Sequence, residues 1–578
     1  STIRRALEPW LERAGTVRYA GMLSDTAGHA QNIESNLILQ LADVAATPIA
    51  ATIDVGRVGI ARAVGGPVGR YLGTEREVFF GEVPARLAGM RAGTSGGLGQ
   101  AAEIMRTGIN PAEARKLDHP PKTFGTNIPG IAPVGSRRAA TVDFVFEYPL
   151  RGLVAADAIF RGAARGGHMA AESLAAATKR NGGQAPSEQQ LREAMSSRAV
   201  VDRVDDLSAR SVLQEDRAFT RWYSKMVKEA PVEARVALQT EVPFVRTPYN
   251  IIAQGLGLTD VGALAVLIKN VAQKKAPREI EYQLARAALG VGVTAWATAD
   301  YANGTLTGQY PSDATEASTL PPGWRPWSRK FEAPNGETYY LPLAMLGPFA
   351  VPAVYAILRS EAIKKGKDAF SAEWAGDVAM GVGEYAEQNT FMEGLSKLGK
   401  VFDQRAGEAE RSRQIEQIVS QFSPHVAGGG GLGRELQRIM GMPARDPEGP
   451  VEALMATHPL TASQVRPRQD VLGREQSMGI PGIVGTIIRG GVEDDDPLIA
   501  AFRDANQSLP RSAPKRLTDP STKQDIELDA DQRAQWEQAF GDAVQQRWAS
   551  SGYASNARSL ASVSTKARED ARRAVIGR

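Results

Sequence analysis

The sequence contains no cysteine, which removes disulfides, thiolate nucleophiles and thiolate-ligated zinc together and leaves the chain indifferent to redox conditions. Histidine is nearly as scarce. His29, His119, His168, His425 and His458 lie far apart, and none has the paired spacing that places two imidazoles on one helix face. All five are expected on the surface or in loops, and no metal or other cofactor is expected. Aromatic residues make up only 6% of the chain. Alternating β-branched runs are almost missing, with 142–146 the most strand-like exception. An excess of one charge is missing too: 68 Lys and Arg stand against 65 Asp and Glu, a net charge of +3. That balance argues against a dedicated nucleic-acid binder, so any such contact is local. The chain opens Ser1-Thr2-Ile3-Arg4 with no initiator Met, basic n-region or apolar h-region. A processed product or a piece of a longer polypeptide is therefore expected.

What is present points to helices. The apolar share is 43% and dominated by Ala, which favours helices packed through small-residue contacts. Ser187 three residues before Gln190 forms a capping box at the head of a helix running toward Arg198. Asn181-Gly182-Gly183 ends the Ala-rich helix before it, since glycine adopts the left-handed terminal conformation without strain. Gly and Pro clusters at 94–99, 120–136, 303–326, 427–433 and 510–520 are expected breaks. The expected fold is all-α, an extended multi-helix architecture of several helical subdomains joined by Gly/Pro loops. Its regions are 1–136, 137–302, 303–426 and 427–578, with no repeat of fixed period.

Four segments are unusually apolar: 37–64, 251–268, 284–302 and 338–358. The last carries no charge between Glu337 and Arg359, long enough to cross a ~30 Å hydrocarbon core at ~1.5 Å per residue. Pro342, Pro348 and Pro352 interrupt its backbone bonding, and the others contain Asp54, Asp260 or Arg286. Buried helices and apolar loops are the expectation, with membrane insertion after a change of oligomeric state as the alternative.

No motif carries convincing chemistry. Gly93-Thr94-Ser95-Gly96-Gly97 has the letters of a nucleophile elbow, but Leu87 to Arg91 reads as helix where a strand is required. The stretch 394–400 resembles a phosphate loop except that Val401 occupies the magnesium-binding hydroxyl position. Glycines 428–433 have dinucleotide-loop spacing without a preceding buried strand. All three read as loop glycines. Glu493-Asp494-Asp495-Asp496 reads as a solvated loop, and no enzymatic activity is expected. Two features remain open. In Pro321-Pro322-Gly323-Trp324-Arg325-Pro326-Trp327-Ser328-Arg329-Lys330, Trp324 and Trp327 suit base stacking, a membrane interface or a partner, and equally a rigid packing loop. The basic C-terminal helix, with Lys566, Arg568, Arg572, Arg573 and Arg578, suits nucleic-acid phosphates or another acidic surface, and equally simple solvation.

Several stretches resemble successive signatures of the large polyvalent proteins of tailed bacteriophages. They are Tyr148-Pro149-Leu150-Arg151 through Ala156-Asp157-Ala158-Ile159-Phe160-Arg161, then Val242-Pro243-Phe244-Val245-Arg246-Thr247-Pro248-Tyr249-Asn250, then Gly323-Trp324-Arg325-Pro326-Trp327-Ser328. Asn389-Thr390-Phe391-Met392-Glu393-Gly394-Leu395 and Arg466-Pro467-Arg468-Gln469-Asp470-Val471-Leu472-Gly473 follow in the same order. The resemblance runs from about Phe79 to the C-terminus and brings no catalytic residue. It implies an internal virion, or ejection, protein in the capsid or tail. Such a protein oligomerises near the portal and tail axis and helps deliver the genome through the host cell envelope. Its expected partners are other copies of itself, portal, tail and other internal virion proteins, phage DNA, and the host membrane after ejection. Pro243, Phe244, Arg246, Pro248, Trp324 and Trp327 are the candidate partner contacts, and Lys566, Arg568, Arg572 and Arg573 the candidate nucleic-acid contacts. A tape-measure or scaffolding role, or a fragment of a protein with a cell-wall hydrolase module elsewhere, is the alternative.

Overall fold

The computed structural model describes residues 26–107, 137–215, 217–229, 246–311, 324–332, 338–366, 436–447 and 458–469, most of 496–576, and short stretches elsewhere between 320 and 493. Among them 71% are helical and only two small sheets occur, so the chain is all-α as expected. Two compact units form. One holds Ser1–Ser24, Gly28–Gly304 and Leu343–Ile418, the other Asp25–Ala27, Thr305–Pro342 and Val419–Arg578.

The first unit contains helices α1 (Thr26–Val64), α2 (Gly66–Leu72), α3 (Glu82–Thr107), α4 (Arg137–Arg180), α5 (Glu188–Ser196), α6 (Arg198–Ser211), α7 (Ala218–Glu229), α8 (Arg246–Leu256), α9 (Asp260–Ala272), α10 (Pro277–Ala302) and α11 (Ala350–Lys364). Local chemistry sets many of the ends. The capping box at Ser187 and Gln190 is complete, and α5 stops at Ser196, just short of a second helix. Gly182 and Gly183 both take positive φ behind α4, and the Gly183 amide donates to the Thr178 carbonyl. Thr259 caps α9 by accepting from the Gly262 amide, and Pro277 opens α10, where its missing N–H costs nothing.

Two expectations fail here. The 94–99 cluster is not a break, because α3 runs straight through it, and 142–146 is not a strand, because it lies within α4. The glycines of α3 serve the contact between α3 and α4, which pack antiparallel. A Cβ on Gly89 would stand 2.2 Å from the Gly166 carbonyl oxygen, and one on Gly93 would stand 2.1 Å from that of Gly162. A Cβ on Gly97 would meet the Ile159 Cα at 2.8 Å. Every fourth residue is therefore held to hydrogen, and the backbones touch.

The second unit begins with β1 (Ser328–Glu332), β2 (Thr338–Pro342) and β3 (Val492–Glu493) in an antiparallel sheet of that order. Its main core lies between α12 (Pro497–Asp504), α13 (Ala530–Ser550) and α14 (Ala557–Ile576). Leu498, Phe502, Trp536, Phe540, Val544, Leu560 and Val563 fill it, with Leu472 from the Arg466 to Gly473 stretch. The Trp536 and Phe540 rings stack at 5.2 Å. The short hairpin of β4 (Arg516–Thr518) and β5 (Asp525–Glu527) precedes α13, which opens on a capping box of Asp529 and Gln532.

A polar core beneath an apolar surface

Helix α1 is inverted relative to an ordinary soluble helix. Its inward face presents Asn36, Gln40, Asp43, Thr47 and Asp54 among alanines, all buried. Its outward face presents Ile33, Leu37, Leu41, Val55, Ile60 and Val64, with Leu41 54% and Ile60 57% exposed. Helix α9 goes further: none of its residues is buried, and Val261, Leu264, Ile268 and Val271 are all exposed. By length and composition, 33–64 and the buried 343–364 are each apolar enough to cross a membrane, and α8 with α9 qualifies as a pair bent by 87°.

Three linked groups of charges fill the interior of the first unit. In the first, Arg57 donates to Asp54 and to Glu281 at 2.6 Å each, and to the carbonyls of Leu72 and Gly73. Asp54, fully buried, also accepts from Arg76 and from the amides of Glu77 and Val78. In the second, Arg278 donates both terminal nitrogens to Glu82 at 2.9 and 2.6 Å and also reaches Glu172 at 2.8 Å. Arg203 lies 3.0 Å from Glu172 on its other side, and the Tyr282 hydroxyl donates to Glu82 at 3.0 Å. Burial alone would push Glu172 up, but Arg278 and then Arg203 hold its carboxyl down at about 2. Glu281 moves the other way: burial pushes it up to about 7 despite the Arg57 hydrogen bond.

The third group has a direction. Arg86 donates to His168 Nδ1 at 3.0 Å, so Nε2 carries the imidazole proton and donates to Ser211 Oγ at 2.9 Å. Ser211 in turn donates to Asp43 at 2.7 Å, and Arg286 closes on the other oxygen of Asp43. Burial first, and then the Arg86 charge, lower the His168 pKa, which fits the neutral ring that this chain of bonds requires. His168 is therefore no surface residue; it is buried. The trio differs from a nucleophilic triad, in which the imidazole stands between serine and carboxylate. Here the shorter bonds run through the serine, with Nε2 itself 3.5 Å from Asp43, and the serine is buried.

The second and third groups line part of a cavity of about 830 Å³, walled by α1, α3, α4, α6, α8, α9 and α10. Among the described residues no group of three His, Asp or Glu side chains is placed to hold a metal ion.

The structure scatters the other candidate residues. Pro243 and Phe244 lie outside the described residues, as do the side chains of Arg246 and Pro248, although both positions fall in α8. Their neighbours turn inward: Tyr249 stacks on Phe219 at 4.7 Å, and Asn250 donates to the carbonyls of Leu213 and Glu215. Trp327 is buried in the second unit with φ at 51°, its amide donating to the Gly308 carbonyl, and it serves as a packing anchor. Trp324 is half-buried with its ring edge-on to Tyr310. Lys566, Arg568 and Arg573 are exposed on α14 and Arg572 is half-buried. The 394–400 and 428–433 glycine motifs, His119 and His425 lie outside the described residues, while His458 sits in an exposed loop. The sequence carries one signal of the ionic core that local motifs do not convey, the recurrence of Gln40, Asp43, Thr47 and Asp54 on one side of an otherwise apolar helix.

The chain matches no family model, no curated protein and no solved structure.

Proposed function

We propose that this chain is an internal virion protein of a tailed bacteriophage, of the ejection type. Several copies gather near the portal and tail axis and help deliver the genome through the host cell envelope, without catalysing a reaction. The sequence signatures suggest the family, and the inverted burial of α1 and α9 carries the role. A lone protein in water keeps charge outside and aliphatic surface inside. Here the charges of Asp43, Asp54, Glu82, Glu172 and Arg278 are inside while two helices offer aliphatic stripes outside. Surfaces of that kind are covered by another copy or by lipid. The α3 and α4 glycine contact supports the same reading, since close backbone approach through every fourth small residue holds helices together where the hydrophobic effect does not. Exposed Lys566, Arg568 and Arg573 on α14 supply phosphate contacts for passing DNA.

Sedimentation and flotation test this directly. Purified protein is expected to sediment as an oligomer, to float with vesicles of phosphatidylethanolamine and phosphatidylglycerol, and to release a trapped dye. The combined L37S, L41S and I60S substitutions on the outer stripe of α1 are expected to reduce flotation and assembly severalfold while leaving helix content unchanged. A wild-type chain that stays monomeric and leaves vesicles intact overturns the proposal.

A further inference from the structure

The cavity of the first unit mixes carboxylates, Asp205, Asp206, Glu215 and Glu279 among them, with several guanidiniums, of which that of Arg210 makes no direct ion pair among the described residues. Arg210 closes α6, and its side chain faces the cavity. Arg57, Arg86, Arg203, Arg278 and Arg286 each reach a carboxylate or the His168 imidazole, and Arg217 is paired with Glu215. Arg210 has no carboxylate partner among the described residues. It donates only to the Gln283 amide oxygen, at 3.2 Å, and its buried Nε has no partner. Lys269, exposed on α9 and lining the same cavity, also has no carboxylate partner among the described residues.

We infer that this cavity is a binding site for a phosphate-class oxyanion, held by the Arg210 guanidinium and the Lys269 ammonium, both on its wall. Glu215 and Asp43 favour the Arg210 charge from a distance, but no carboxylate reaches its donors among the described residues, and the planar donor fork of arginine matches the edge of a phosphate. Burial, and then the Arg286 charge, push the Arg210 pKa down to about 10 against the opposing pull of Glu215 and Asp43, so the group is still cationic at neutral pH. At about 830 Å³ the cavity has the size of a small-ligand cleft, large enough for the free ion or for the phosphate of a mononucleotide. The amide side chains of Gln214, Gln254 and Gln283 along the wall add neutral polar contacts.

Calorimetric titration of the full chain with inorganic phosphate, against chloride at equal ionic strength, tests the site. One saturable phosphate site per chain is expected, with affinity reduced at least about tenfold in Arg210→Gln and about threefold in Lys269→Gln. Deoxyadenosine monophosphate separates the two sources. Tighter binding than phosphate assigns the site to a nucleotide, and equal or weaker binding assigns it to the free ion. No saturable phosphate binding by the wild type, or a folded Arg210→Gln chain that binds phosphate as the wild type does, overturns the inference. Should Arg210→Gln fail to fold, Lys269→Gln decides, because it alters an exposed side chain, and unchanged affinity there overturns the inference equally.

Discussion

Replacing Gly93 by alanine sets two opposed effects against each other. On an isolated helix the change is favourable, because glycine in a helix interior costs about 1 kcal/mol relative to alanine. In the folded chain the new Cβ would stand 2.1 Å from the Gly162 carbonyl oxygen and 2.9 Å from its carbon. Real Cβ contacts stop near 3.0 Å, so α3 and α4 must part locally by about 0.9 Å. A gap of that size forfeits a quarter to a half of each affected dispersion contact. Overpacking of this kind costs roughly 1–3 kcal/mol, and the lost contacts along the two backbones add about 1 kcal/mol. After the gain in helix propensity, a net loss of about 1–3 kcal/mol remains. Gly96 and Gly99 on the same helix are the controls, since an added Cβ there meets nothing within 4 Å. Gly96→Ala and Gly99→Ala are expected to stabilise by up to about 1 kcal/mol. Scanning calorimetry of the full chain, following the transition lost with helicity, should show a midpoint lowered by several degrees in Gly93→Ala and slightly raised in the controls. If all three shift together in sign and size, the backbone contact does not limit the packing of these helices and the reasoning is wrong.

Two further outcomes follow from the charged interior. Arg278→Met leaves Glu82 and Glu172 buried without their shared cation, and the expected loss is about 3–5 kcal/mol, read as a collapse of the unfolding midpoint or of soluble yield. Stability should also peak between two pH limbs. Glu172, held at about 2 against an ordinary 4.5, contributes stability above 4.5 that is lost as pH falls toward 2. Glu281, raised to about 7, keeps its proton in the folded state where the unfolded chain has released it, so stability declines as pH rises from 4.5 to 7. Unfolding midpoints measured across pH 4 to 8 should lose that upper decline in Glu281→Gln, and an unchanged profile in this variant would refute the assignment.

Local order was legible in the sequence because it depends on neighbours. The capping box at Ser187 and Gln190 and the left-handed glycines after α4 follow from chemistry within a few residues. The 94–99 cluster carries the letters of a helix break without being one. The four-residue step from Gly89 through Gly93 to Gly97 marks instead one face of a helix, and its meaning resides in the partner face of Gly162 and Gly166. The ionic core was hidden for a similar reason. Asp43 meets Arg286, and Arg57 meets Glu281, across more than two hundred residues of chain, and no local pattern announces which acid meets which base. His168 was misplaced with them, since a lone imidazole acquires its role only from the Arg86, Ser211 and Asp43 brought to it by three other helices.

The charged inner face of α1 ties this helix into its unit by something other than apolar contact. In water two opposite charges about 4 Å apart attract by only ~1 kcal/mol, while in surroundings of effective dielectric ~20 the same pair attracts by ~4 kcal/mol. The Arg57, Arg76 and Arg286 contacts to Asp54 and Asp43 are made with both carboxylates buried, so they belong to the stronger kind whatever covers the aliphatic outside. A helix fastened in this way holds its seat through its inner face alone, and its outer face is left to change its cover without loosening it.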